Sequence, residues 1–184
     1  LAVDYQGTAT FSLLTDTVVN LQLGRVDRHA VALTWDATQN RTVAAGGALT
    51  YTVFVQNTGN VQDTFSLTGS AASGWAFTFF PSTVSLGYGT GPNRTAVAVT
   101  VQTPSNALVN HGAVTVSATS AADPNARGTA ALLVGIARAR GLTLQVDPLS
   151  GTFDGHYLNY TVNVRNTGNA PEIADLSIQN PGDV

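Results

Sequence analysis

Apolar and polar residues alternate with a period of two along much of this chain, and no segment holds the three-to-four-residue period of an amphipathic helix. The alternation predicts strands at Ala32–Trp35, Leu49–Gln56, Thr64–Thr68, Trp75–Phe79, Thr95–Gln102, Ala113–Thr119 and Gly128–Val134, with Val84–Leu86 as a shorter one. Within Thr95–Gln102, Val97, Val99 and Val101 face one way while Ala96, Ala98, Thr100 and Gln102 face the other. Val114, Val116 and Ala118 form the expected core face of Ala113–Thr119. Turn signals separate the runs: Asn57-Thr58-Gly59-Asn60, Gly87–Pro92, Thr103-Pro104-Ser105-Asn106 and Asp123-Pro124-Asn125. Short strands punctuated in this way imply an all-β, two-sheet antiparallel sandwich.

The pattern recurs. Leu49–Asn60 reads Leu-Thr-Tyr-Thr-Val-Phe-Val-Gln-Asn-Thr-Gly-Asn, and Leu158–Asn169 reads Leu-Asn-Tyr-Thr-Val-Asn-Val-Arg-Asn-Thr-Gly-Asn, 109 residues later. That offset is the length of an immunoglobulin-sized sandwich. Leu33-Thr34-Trp35-Asp36 likewise matches Leu144-Gln145-Val146-Asp147, with a two-residue gap before the repeat. In the other direction, Gly7–Leu13 resembles Gly128–Val134, the closing strand of the central unit. The expected organisation is therefore tandem Ig-like sandwiches: the last strand of a preceding repeat plus a linker at 1–24, a complete sandwich at 25–140, and the first strands of a following repeat at 141–184. Gly7 to Tyr51 spans 44 residues and Gly128 to Tyr160 spans 32, so the first junction is the longer by 12. Its charged stretch Arg25–His29 is expected to act as a spacer.

Several of these residues carry a family resemblance. The run Tyr51-Thr-Val-x-Val-x-Asn57-Thr-Gly-Asn60, followed by Asp63–Leu67 and Ser73-Gly74-Trp75, resembles the bacterial and archaeal Ig-like modules of the NEW3 and CARDB type. So do Pro-x-x-Val-x-Leu at Pro81–Leu86 and Val-x-Val-x-Thr-Pro at Val99–Pro104. The resemblance covers about residues 30–136 and restarts near 141. The loop Gly87–Pro92 departs from it, being longer than the usual Pro-Gly. The resemblance implies a module of surface-layer proteins, adhesins, extracellular filaments or spacers behind secreted hydrolases. It specifies fold far better than function.

Composition narrows the partners. Charged residues make up 10% of the chain, against about 25% in an average domain, so the polar surface is built mainly from Thr, Ser, Asn and Gln. All eight basic residues are Arg, and the net charge of −3 offers no basic footprint for nucleic acid or an anionic membrane. Absence of cysteine removes disulfides, thiolate metal sites and Cys nucleophiles together. The apolar run Ala130–Ala137 is far shorter than the roughly 20 residues that span a bilayer. A start at Leu1 fits a processed or excised piece, and no membrane insertion is expected of this segment.

Candidate sites are few. The Asn-Thr-Gly-Asn segments at 57–60 and 166–169 are explained as structural turns, because Asn and Gly tolerate positive φ and Asn side chains close local turns. Trp75, Phe77 and Phe79 share one face and read as core aromatics, leaving Tyr88 in its Gly-rich loop as the candidate exposed aromatic contact for polysaccharide. His29, His111 and His156 lack the spaced second ligand of a zinc site. Asp63, Asp123, Asp147 and Asp154 do not form the alternating acidic loop of a calcium-binding hand. No cofactor is expected, with calcium at a repeat junction the one alternative left open. Neither Gly-x-Ser-x-Gly, His-Glu-x-x-His nor a phosphate loop occurs, and catalysis is not expected. Asn40, Asn93 and Asn159 fit the N-glycosylation pattern, which chance often produces in so Asn- and Thr-rich a chain.

The expected role is structural: a repeat of an extracellular surface layer, filament or stalk whose partners are copies of itself or adjacent repeats. The alternative is a spacer or carbohydrate-binding accessory module of a secreted hydrolase. Val162 and Val164 at one end, and Phe11 and Leu13 at the other, are candidates for strand exchange between subunits. Truncation explains the same ends, and more simply, because the absent half-sandwich needs several strands rather than one.

Overall fold

A computed structural model describes residues 24–36, 41–146, 152–153, 155–156 and 158–177. The central part is built of nine strands: β1 (Val31–Trp35), β2 (Arg41–Val43), β3 (Ala48–Asn57), β4 (Asp63–Ser70), β5 (Ala76–Phe80), β6 (Thr83–Leu86), β7 (Arg94–Gln102), β8 (His111–Ser120) and β9 (Arg127–Ile136). Beyond them come β10 (Leu142–Val146), β11 (Thr152–Phe153), β12 (Leu158–Asn159) and β13 (Val162–Asn166). The alternation places every long strand to within a residue or two. The strand expected from Trp75 begins instead at Ala76, and β2, three residues long, is too short to show a period.

Two sheets face each other, in the orders β1-β3-β7-β5 and β2-β9-β8-β4-β6. All pairs are antiparallel except β2 with β9, so the opening strands divide between the layers, β1 in one and β2 in the other. After β4 the chain crosses to add β5 to the edge of the first sheet, then returns as β6 to the edge of the second. This is an Ig-like β-sandwich.

Its core follows from the pleat. Tyr51, Val53 and Val55 of β3 and Val97, Val99 and Val101 of β7 are fully buried, as are Val114 and Val116 of β8 and Leu132 and Val134 of β9. Each such side chain contributes about 1.5–3 kcal/mol by leaving water. Tyr51 also finds a partner for its one polar atom, donating from its hydroxyl to the Leu133 carbonyl at 2.8 Å. Trp35 meets the Tyr51 ring edge-on at 6.1 Å between centroids. Trp75, Phe77 and Phe79 pack half-buried against the core, as the alternation implies. Gly69 and Gly112 leave the space for two of these rings, since a Cβ there would lie 2.5 Å from Phe77 and 2.7 Å from Trp75. The neighbouring Phe80 points the other way and is 81% exposed.

Adjacent residues of β9 test this two-faced geometry. Leu132→Ala is expected to cost about 2–5 kcal/mol through the cavity it leaves. Leu133→Ala, on the outer face at 43% exposure, is expected to change stability by less than about 0.5 kcal/mol. Urea unfolding of the two variants checks the contrast; equal losses would contradict the assigned faces.

Candidate functional site

At one end of the sandwich the chain leaves β3 through Asn57-Thr58-Gly59-Asn60, and each residue of this turn has a definite task. Asn57 is buried, and its Oδ1 accepts from the Gly59 N–H at 2.9 Å, while its Nδ2 donates to the carbonyls of Val61 at 2.8 Å and Leu86 at 3.3 Å. The Thr58 N–H donates to the Ala30 carbonyl at 2.9 Å. A Cβ on Gly59 would collide with the Arg28 carbonyl oxygen, so glycine is what lets the incoming backbone lie against the turn. Asn60 then grips that backbone at three atoms. Its side-chain Oδ1 accepts from the Arg28 N–H at 2.8 Å, its Nδ2 donates to the Val26 carbonyl at 2.9 Å, and its own N–H donates to the Arg28 carbonyl at 3.0 Å. The Asn60 amide thus satisfies the extended segment much as a neighbouring strand would. The expectation that Arg25–His29 serves only as a spacer is corrected: the segment is held at Val26, Arg28 and Ala30.

The same bonds recur at 166–169. Asn166 Oδ1 accepts from the Gly168 N–H at 2.8 Å and Nδ2 donates to the Ala170 carbonyl at 2.7 Å. The Thr167 N–H donates to the Gly141 carbonyl at 2.9 Å. Asn169 accepts from the Ala139 N–H at 2.8 Å and donates to the Ala137 carbonyl at 2.8 Å, with its N–H on the Ala139 carbonyl at 3.1 Å. A Cβ on Gly168 would come within 2.5 Å of that carbonyl oxygen. Strand registers agree too. Val31, Leu33 and Trp35 pair with Asn57, Val55 and Val53, and Leu142, Leu144 and Val146 pair with Asn166, Val164 and Val162.

Beside the first clamp lies a buried carboxylate. Asp63 Oδ2 accepts from His29 Nδ1 at 2.8 Å and from the Ser120 hydroxyl at 2.6 Å, and its Oδ1 accepts from the Thr64 N–H at 2.7 Å. Burial alone pushes the Asp63 pKa up. The hydrogen bonds from Ser120, His29 and Thr64 outweigh it and hold the carboxyl below its ordinary value. Ser, His and Asp together suggest a nucleophilic triad, but the order of bonding differs. A triad passes Ser to His to Asp, whereas here serine and histidine both end on one oxygen of a weakly basic carboxylate. The group joins linker, β4 and β8, and tethers the 121–123 turn through the Ala122 and Asp123 N–H groups on Ser120 Oγ. The sequence placed no partner beside His29, and the fold brings it one from 34 residues away.

The remaining candidates are dispersed. Tyr88 is 39% exposed, with the Arg25 guanidinium 5.4 Å over its ring. Asn93 engages Nδ2, the atom a glycan would take, on the Gly89 carbonyl at 3.0 Å. Asn159 ends β12 rather than starting a strand. Asn40, Phe11, Leu13, Asp147 and Asp154 lie outside the described residues. Val162 and Val164 are exposed, with Leu142, Leu144 and Val146 beside them on the paired strand. At the junction Glu172 is bridged by Arg138 and Arg140, and among the described residues no three metal-ligating side chains converge.

No protein-family model and no curated protein matches the sequence. Weak similarities to solved structures are found. A PapD-like domain of human CEP192 is 13% identical, covering 68% of this chain and 94% of its own, with a TM-score of 0.37. Native α2-macroglobulin of Escherichia coli is 15% identical over 64% of this chain and 7% of its own, at 0.41. The secreted serine protease VesC of Vibrio cholerae is 11% identical over 76% of this chain and 44% of its own, at 0.41. At such identities and scores no property of those proteins transfers. Among the described residues no helix is long and apolar enough to cross a membrane.

Asp63 sets an acid limit on this end of the sandwich. Because its folded pKa is depressed, its contribution is present above the unfolded pKa of about 3.9 and is lost as pH falls through the folded value. Asp63→Asn is expected to lower stability at neutral pH, and its deficit relative to the wild type is expected to shrink as pH falls below about 4. Unfolding measured across pH checks this; a deficit that stays constant into acid would contradict it.

Proposed function

We propose that this chain is part of a non-catalytic, extracellular structural protein in which Ig-like sandwiches of the NEW3/CARDB type follow one another, forming a surface layer, filament or stalk. One observation carries the reading. The pairing of β1 with β3 and the grip of the clamp on its linker are reproduced by β10, β13 and their clamp. A sequence that rebuilds the same opening strands and the same linker grip is laying sandwiches in series. The sparsely charged, Thr-rich surface and the absence of cysteine from the chain suit such an array, and the Asp63 group is arranged for structure rather than turnover. The partners are adjacent repeats and copies of the same protein.

A second reading is favoured by Phe80, at 81% exposure, and by Tyr88. Exposed rings stack on sugars, which would suit an accessory module binding cell-surface polysaccharide beside a secreted hydrolase.

Antibody against residues 25–136 is expected to label intact source cells, with electron microscopy showing a regular array or extended stalk. Label appearing only after permeabilisation would sink the extracellular reading. Retention on a polysaccharide column, lost together in Phe80→Ala and Tyr88→Ala, would favour the second.

A further inference from the structure

The two clamps are alike in their bonds but differ in what lies on them. Asn169 and Ala170 are 9% and 7% exposed, whereas their counterparts Asn60 and Val61 are half-exposed. The cover at the second clamp comes from the central sandwich. Its loop between β7 and β8 presents Val109, whose N–H donates to the Asn169 carbonyl at 2.9 Å. The next residue, Asn110, accepts from the Ile136 N–H at 2.9 Å, fastening that loop to the end of β9. The Ala137 N–H donates to the Val43 carbonyl at 2.8 Å, so the linker leaves β9 already tied to β2. Between that tie and β10 run Ala137–Gly141, whose backbone groups at 137, 139 and 141 are taken by Thr167 and Asn169. Arg138 Nε reaches Glu172 at 3.1 Å, its Nη2 donates to the Pro171 carbonyl at 3.0 Å, and Arg140 lies 3.5 Å from the same carboxylate. A cleft of about 520 Å³ remains between the surfaces, lined by Ala44, Ser105, Leu108 and Thr167 among others.

We infer that the loop end of one sandwich, residues 105–110, and the Asn-Thr-Gly-Asn turn of the next are matched docking surfaces that stack successive sandwiches at a fixed orientation. This rests on reading β10 and β13 as the opening strands of a following sandwich, and it adds the mode of assembly to that reading. The partner of the loop is a sandwich of this kind, recognised by three features: the clamping turn, an acidic residue six positions after its first Asn, and a basic residue in the linker. Both clamps pair a linker side chain with that carboxylate. His29 faces Asp63 at the first, and Arg138 and Arg140 face Glu172 at the second. A linker bonded at alternate residues cannot swing as a flexible tether does. Serial sandwiches joined in this way form a rod.

Hydrogen exchange on the whole chain tests the docking. In the wild type the Val109 amide is expected to exchange at least ~10-fold more slowly than an unstructured amide, together with Ala139, Thr167 and Asn169. Gly168→Ala drives a Cβ at the Ala139 carbonyl, and it is expected to abolish protection at all four while leaving β3, β7, β8 and β9 unchanged. Val109 exchanging at the free rate in the wild type would overturn the inference. So would Val109 protection that persists in Gly168→Ala after Ala139 and Asn169 have lost theirs. A second variant, Val109→Pro, deletes the donor without touching the turn. It is expected to broaden the distance distribution in small-angle scattering while the clamp amides stay protected, and an unchanged distribution would count equally against docking. Loss of cell-surface labelling with Val109 protection intact would remove the cellular role and leave the docking standing.

Discussion

Dry contact between two Val-rich faces is the constraint on which everything else in this molecule depends. Val53, Val55, Val97, Val99 and Val101 of one sheet meet Val114, Val116, Leu132 and Val134 of the other, and no disulfide holds the layers together. β-Branched side chains are stiff and fit the pleated surface, so little rotamer freedom is lost when they pack. With the strands fixed by that contact, their ends become fixed points in space. The hydrogen bonds that hold the linkers are gathered at those ends.

The end at Asn57 shows how burial and hydrogen bonding are reconciled there. Leaving β3 at the base of the sandwich brings the backbone of the turn and of Leu86 around the buried Asn57 side chain, while the linker lies against the more open Asn60. Unpaired groups there would each cost about 1–3 kcal/mol. The Asn57 and Asn60 amides meet the need because each offers both a donor and an acceptor. Aspartate could not donate, and serine could not reach both Val26 and Arg28. Glycine at 59 completes the arrangement by removing a side chain where another backbone must pass. A short polar motif therefore does the work of a strand pairing, and the linker becomes part of the fold instead of a tether.

Asp63 belongs to the same logic. A carboxylate in this position would be driven toward neutrality by burial, yet three donors converge on it and keep it ionised. Those donors come from the linker, from β4 and from the end of β8, so one charge reports on the arrangement of three elements. At the second clamp the corresponding carboxylate is Glu172, bridged by two arginines that are more exposed and therefore hold it more weakly. Geometry is kept while the strength of the link varies between the two clamps.

Alternation alone revealed the long strands of the central sandwich, the inward valines and the half-buried stripe of Trp75, Phe77 and Phe79, because the pleat converts a period of two directly into two faces. The 109-residue recurrence likewise exposed the Asn-Thr-Gly-Asn turns, and the Asn side chain closes their Asn57–Gly59 half as expected, but no residue of either turn takes the positive φ that was expected; glycine is needed there for the close approach of another backbone. What Asn60 and Asp63 do was not legible, since their partners lie 32, 34 and 57 residues away and are brought close only by the sheets. Likewise, nothing in the pattern around Val109 marks it as a contact for Asn169. A period records which way a side chain points from its own strand; which backbone arrives opposite it is decided by how the two sheets close and how the linker is drawn across their end.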